Sequence, residues 1–280
     1  MSGRREANGT APKSRRLLDI GIEHLAEGGG DPLRLRRVMA NAVVGRLLPN
    51  GVLKGGSALK LRYGEDTTRF TRDLDVARTL GEAAFEEALR EALAVGWEGF
   101  TGRLVRERKA EPRDVPGGYV MQPYSVKLEY NGKPWITVTL EVGHNEIGDA
   151  ERCERGLAED IGEMFRRLGL PAPGPLPLMP MEHQIAQKLH AVSSPGSHRA
   201  HDLVDLQLVM GRENPDPVTL RRTCERLFAY RKRQAWPPVI APGSDWETLY
   251  EERKGNLPVL ATAAEAVLWV NRLIGQIAQG

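Results

Sequence analysis

Leu17, Leu18, Ile20, Ile22 and Leu25 recur with the spacing of one helix face, and Gly28-Gly29-Gly30 stops that helix. Pro32 opens a second helix, carried by Leu35, Val38, Met39, Ala42, Val43 and Leu47 and closed by the turn Pro49-Asn50-Gly51. The pattern then predicts a strand over 52–54, a turn at Gly55-Gly56 and a short helix through Ala58, Leu59 and Leu61. A charged loop, 64–72, leads into a strand carrying Asp73, Asp75 and Val76. A helix over 82–94 and β-like runs near 100–107, 124–130 and 135–142 follow, the last two joined by Asn131-Gly132, a two-residue hairpin signal.

Prolines at 171, 173, 175, 177 and 180 are too dense for a helix or a central strand, which predicts a stiff connector over 168–180. Beyond it, 181–192, 198–210, 218–230 and 257–277 all show helical apolar spacing. The expected organisation is a flexible basic arm (1–14), a mixed α/β lobe (15–167), the connector (168–180) and a mainly helical lobe (181–280). The fold class is therefore α/β (α+β) and bilobal, with no internal repeat.

Composition changes this picture little: 280 residues with 41% hydrophobic and 27% charged side chains suit an ordinary globular protein. No apolar run reaches membrane-spanning length and the N-terminus lacks a secretory core, so a soluble, cytoplasmic protein with no membrane partner is expected. Cys153 and Cys224 form neither a disulfide framework nor a zinc pattern. The net charge of +2 averages over basic segments at Arg4–Arg37 and Arg221–Arg233 and an acidic one at 146–160.

The chemistry begins at Asp73 and Asp75. On a strand they share a face, with Cα atoms roughly 6.5 Å apart, and their mutual repulsion calls for a cation. Oxygen-only ligands select Mg²⁺ or Mn²⁺. Upstream, Gly55 and Gly56 let backbone amides approach a phosphate at a helix start, and Ser57 can donate to a phosphate oxygen. A third carboxylate would complete a two-metal site. Glu141, on the polar face of the run 135–142, is the first candidate and Glu129 the competitor.

In the helical lobe Arg199, Asp202 and Asp205 recur at spacing three, where Lys188 from a neighbouring helix could meet them. A lysine held by aspartates suits the charge that develops on a leaving pyrophosphate, while a structural ion pair is the alternative. His183, His190, His198 and His201 raise the question of zinc, but their spacing matches no ligand pattern. Arg221, Arg222, Arg231 and Arg233, interleaved with Phe228, Tyr230 and Trp236, offer phosphate contacts and stacking surfaces for RNA, or else a solvated basic helix face.

Two stretches, Lys54-Gly55-Gly56-Ser57-Ala58-Leu59 with Arg69-Phe70-Thr71-Arg72-Asp73-Leu74-Asp75, and Ile185-Ala186-Gln187-Lys188-Leu189-His190-Ala191 with Arg199-Ala200-His201-Asp202-Leu203-Val204-Asp205-Leu206, resemble the motifs of the AbiEii and MenT nucleotidyltransferase-like toxins of bacterial toxin–antitoxin pairs. Gly96-Trp97-Glu98-Gly99-Phe100 and Thr139-Leu140-Glu141-Val142 are similar to the mycobacterial MenT branch. The resemblance implies a polymerase β-like core, an NTP substrate with Mg²⁺, tRNA 3′ ends as acceptor, and arrest of translation and growth through blocked aminoacylation. It assigns motif roles to Ser57, Asp73, Asp75, Lys188 and Asp205, with Asp202 beside them. The loop between Ser57 and Asp73 is longer than in compact members of the wider superfamily, and Arg69 and Arg72 are candidates to supply the triphosphate grip there.

A toxin also implies a cognate antitoxin protein, and a phosphorylatable Thr71, two residues before Asp73, would make that partner a kinase. If the strand reaches back to Thr71, its hydroxyl joins the carboxylate face. Two other readings keep the fold: transfer to a protein hydroxyl or a small molecule such as an aminoglycoside, and a non-catalytic module that binds RNA or antitoxin.

Overall fold

The computed structural model describes residues 10–110 and 120–280; most of the expected arm, 1–9, lies outside the described residues. The chain divides into two compact units, the first running to Glu65 and adding Thr71–Asn145 and Cys153–Leu178, the second made of Asp66–Phe70, Glu146–Arg152 and Met179–Gly280.

The first unit opens with helices α1 (Arg15–Ala26) and α2 (Pro32–Leu47), whose N-caps Ser14 and Asp31 accept from the Leu17 and Leu33 amides. The end of the expected arm is fastened, since the Tyr130 hydroxyl donates to the Pro12 carbonyl at 2.7 Å. β1 (Gly51–Lys54) runs directly into α3 (Gly55–Tyr63), and β2 (Leu74–Arg78) leads to α4 (Glu82–Val95). β3 (Phe100–Arg106), β4 (Gln122–Tyr130) and β5 (Lys133–His144) follow, then β6 (Glu154–Gly156), α5 (Glu159–Arg167) and β7 (Leu176–Leu178).

The seven strands form one mixed sheet in the order β3-β4-β5-β2-β1-β7-β6. Asn131 and Gly132, at φ 47° and 72°, make the expected left-handed hairpin turn between β4 and β5. A bulge follows: Leu128 faces Ile136 while Glu129 faces Pro134, leaving Trp135 as the extra residue. Phe100 anchors the adjoining core, its ring centroid 4.7 Å from that of Tyr130 and 5.1 Å from that of Trp135.

Three expectations about local structure change. Gly55-Gly56 is the first turn of α3, not a separate turn, because Gly55 takes φ +69° at the helix entry. β2 starts at Leu74, not before Asp73, because the Asp73 carbonyl is engaged by Ser57. The connector is not free of strand: Leu176-Pro177-Leu178 pairs with both β1 and β6, burying Leu176 and Leu178. Three residues suffice for that, so the amide missing at Pro177 interrupts little pairing.

The second unit is helical: α6 (Met181–Val192), α7 (His201–Met210), α8 (Pro217–Arg231), α9 (Trp246–Lys254) and α10 (Ala263–Gln279). α10 begins later than its apolar spacing implied because Thr262 and Glu265 form a reciprocal capping box. α9 was not foreseen; it follows the proline-containing breaks at 236–238 and 241–243 and buries Trp246 and Tyr250. Gln207 fixes it by donating to the Tyr250 hydroxyl at 3.0 Å, which in turn donates to the Leu260 carbonyl at 2.9 Å.

Candidate active site

In the first unit the site residues gather at the ends of three neighbouring strands. Asp75 is the cross-strand Cα partner of Lys54 on β1 and of Glu141 on β5. Directly opposed residues project to the same face about 5 Å apart, so Lys54, Asp75 and Glu141 form one row across the sheet. Glu129, the competitor, faces Thr101 and Pro134 beside the hairpin and lies 3.9 Å from Arg103, away from this row. Gly55 is required here: a Cβ would sit 2.1 Å from Asp75 Oδ2.

Ser57, buried in the first turn of α3, donates to the Asp73 carbonyl at 2.5 Å and shares a 2.8 Å hydrogen bond with the Thr71 hydroxyl. A carbonyl oxygen can only accept, so the single Ser57 proton goes to Asp73 and Thr71 must donate to Ser57. Ser57 is therefore not poised to donate to a phosphate; it fastens the segment that carries the first aspartate. Arg37 adds a third tie, donating to the Arg72 carbonyl at 3.1 Å. Thr71 precedes β2, so it meets the motif through this hydrogen bond and not through strand alternation. Asp73 is exposed, and Asp75 and Glu141 are half-buried.

Among the described residues no group of three or more His, Cys, Asp or Glu side chains is gathered closely enough to hold an ion unaided. The Asp75–Glu141 pair nonetheless fits Mg²⁺ or Mn²⁺, since Mg²⁺ typically takes one or two carboxylates and completes its shell with water and phosphate oxygens.

In the second unit Lys188 Nζ lies 2.9 Å from Asp202 Oδ1 and 2.6 Å from Asp205 Oδ2. Arg69 grips Asp205 with two parallel 2.9 Å bonds, and Arg199 Nε reaches Asp202 Oδ2 at 2.6 Å. Burial opposes ionisation of both aspartates, yet Lys188 and Arg199 hold Asp202, and Arg69 and Lys188 hold Asp205, below the usual carboxylate range. Burial likewise opposes the charge on Arg69, and Asp205 outweighs it. His201, 3.9 Å from Asp202, is pushed down to about 4 chiefly by burial and is neutral at pH 7. Three cations against two carboxylates leave the cluster at net +1.

Nucleotide-binding expectations for Arg69 and Asp202 thus meet an ion-pair frame around Lys188. The histidines do not assemble: His198 pairs with Asp245 at 2.7 Å, and His190, pushed down to about 3 by burial and then by Arg231 and Arg233, packs on Phe228. In the basic segment Arg231 is taken by Glu146 in contacts of 2.9 and 2.5 Å, and Arg221 by Glu225 at 2.9 Å. Phe228 is core, not a stacking platform, while Arg222, Arg233 and Tyr230 stay exposed. Sequence reasoning gave no role to Lys54, although its place before Gly55 was the available signal. It also missed Lys60, buried and donating at 2.9 Å to the Glu65 carbonyl, which shapes the loop leading to Arg69.

A family model, Nucleotidyl transferase AbiEii toxin of the type IV toxin–antitoxin systems, matches residues 37–269. Among solved structures the chain is similar to MenT4, a nucleotidyltransferase toxin of Mycobacterium tuberculosis H37Rv, at 17% identity and TM-score 0.52, over 96% of this chain and 99% of that one. It is also similar to JHP933 of Helicobacter pylori, at 17% identity and TM-score 0.42, over 88% and 91% of the two chains. No curated protein matches it. Among the described residues no helix is long and apolar enough to cross a membrane. The match over most of its length shows that the chain belongs to the AbiEii family, as a nucleotidyltransferase toxin whose system includes a cognate antitoxin.

Proposed function

We propose that this toxin transfers nucleotides from an NTP to the 3′ end of tRNA with Mg²⁺ or Mn²⁺, blocking aminoacylation and so translation. The observation that carries the reading is the pairing of Asp75 with Glu141 on adjacent parallel strands, beside the Gly55-Gly56-Ser57 helix start. Asp75 and Glu141, with Asp73, would hold the divalent ion. When bound, the ion would neutralise phosphate charge and lower the pKa of the attacking hydroxyl. The first amides of α3 lack intrahelical acceptors and are suited to phosphate oxygens. Lys188, held by Asp202 and Asp205 within a net-positive frame, is suited to the negative charge on the leaving pyrophosphate. Arg222, Arg233 and Tyr230, exposed on the surface, are suited to contact an RNA acceptor.

The test incubates the protein with total tRNA, Mg²⁺ and each labelled NTP in turn, with Asp75→Asn and Asp73→Ala as controls. Label should appear on tRNA with the native protein and be lost in both variants without loss of fold. Label on protein, or none on tRNA with any NTP, would reject the acceptor; full activity in either variant would reject the metal site.

A further inference from the structure

The reading above leaves Lys54 unused. It ends β1 as the Cα partner of Asp75, yet its ammonium does not stay over its own strand. Nζ lies 3.4 Å from the point that a Cβ of residue 143 would occupy, and that residue is Gly143 on β5, two positions beyond Glu141 and on the same face. Because β2 separates β1 from β5, the lysine chain must cross β2 at the level of Asp75 to reach there. With no side chain of its own, Gly143 leaves room for the ammonium. A positive charge is thereby built into the face that carries Asp75 and Glu141.

We propose that Lys54 is the resident counter-cation of this carboxylate row and couples metal binding to nucleotide binding; the proposal rests on the metal reading above. A cation beside carboxylates disfavours arrival of a second cation. A nucleoside triphosphate reverses this, because its oxyanions give the ammonium a partner and the ion further ligands. Bare metal therefore binds weakly and metal with nucleotide binds strongly. By linkage, the factor by which nucleotide tightens the metal equals the factor by which metal tightens the nucleotide.

The test titrates Mn²⁺ into the full-length protein and follows free Mn²⁺ by electron paramagnetic resonance, with and without the four α,β-imido nucleoside triphosphates. Native protein, Lys54→Met, Lys54→Gln, Lys54→Arg and Asp75→Asn are compared, with circular dichroism checking the fold. Lys54→Met and Lys54→Gln should bind bare Mn²⁺ about tenfold more tightly and gain less from the analogues, while Lys54→Arg should behave as native. Equal or weaker binding of bare Mn²⁺ by Lys54→Met and Lys54→Gln, with binding to the native protein intact, overturns the role of Lys54 alone. Absence of binding in every protein, or binding by Asp75→Asn as strong as native, overturns the metal reading and this proposal together.

Discussion

Replacing Lys188 with alanine removes the ammonium that lies 2.9 Å from Asp202 and 2.6 Å from Asp205. The two aspartates are 0% and 2% exposed, so water cannot replace it. Breaking a buried ion pair from one side costs about 3–5 kcal/mol. Arg199 stays on Asp202 and Arg69 on Asp205, which places the loss near the lower end, at about 3 kcal/mol. Native domains typically carry about 5–15 kcal/mol, so the variant should fold but unfold at lower urea. The same change takes the cluster from net +1 to neutral, and on the proposed role turnover should fall at least about a hundredfold while tRNA binding changes little. Urea unfolding, single-turnover transfer and tRNA anisotropy measure the three effects separately. A native unfolding midpoint would refute the burial argument. Native turnover with lost tRNA binding would move Lys188 to the acceptor site.

Thr71→Glu should stop transfer while Thr71→Val retains most of it; both remove the donor to Ser57, so the difference isolates the added charge and tests phosphate control at this position. Native activity in Thr71→Glu would remove that control. Charge reversal at Arg222 and Arg233 should raise the KM for tRNA and flatten its salt dependence, by about one unit of slope per lost phosphate contact. An unchanged slope returns both to a plain solvated surface. His190 and His201 have folded pKa values of about 3 and about 4 against 6.5, so below pH 6.5 the unfolded chain takes up protons that the folded one does not. Their contribution is complete above about pH 6.5 and declines by about 1.4 kcal/mol per histidine and pH unit toward those values. Urea midpoints from pH 7 to 5 should show this, with a shallower slope in His190→Leu; an identical slope would sink it.

Local spacing made much of the fold readable. The i, i+3 recurrence of Asp202 and Asp205 and the two-residue hairpin at Asn131-Gly132 need no knowledge of distant chain, and both stand where the pattern put them. What required tertiary partners was hidden. Nothing near Arg231 announces Glu146, and nothing near Ser57 says that its proton goes to Asp73. The choice between Glu129 and Glu141 depends on which strand lies beside β2, a matter of sheet order. Pro177 shows a local rule overridden, because Leu176 and Leu178 gain more from burial than one missing amide costs.

The bulge at Trp135 acts as a change of phase within a single strand. At the bulge itself β5 turns an odd-numbered residue inward, and that residue, Trp135, donates from Nε1 to Asp19 on α1 at 3.2 Å. After it, the inward residues are the even-numbered Val138, Leu140 and Val142, which leaves Glu141 on the outer face beside Asp75. Without the extra residue one of these two duties would be lost, because a strand of uniform alternation cannot turn both Trp135 and Val138 inward. Deleting one residue between Val138 and Glu141 should leave the hairpin able to close and Trp135 inward, while carrying the acid to the wrong side of the sheet.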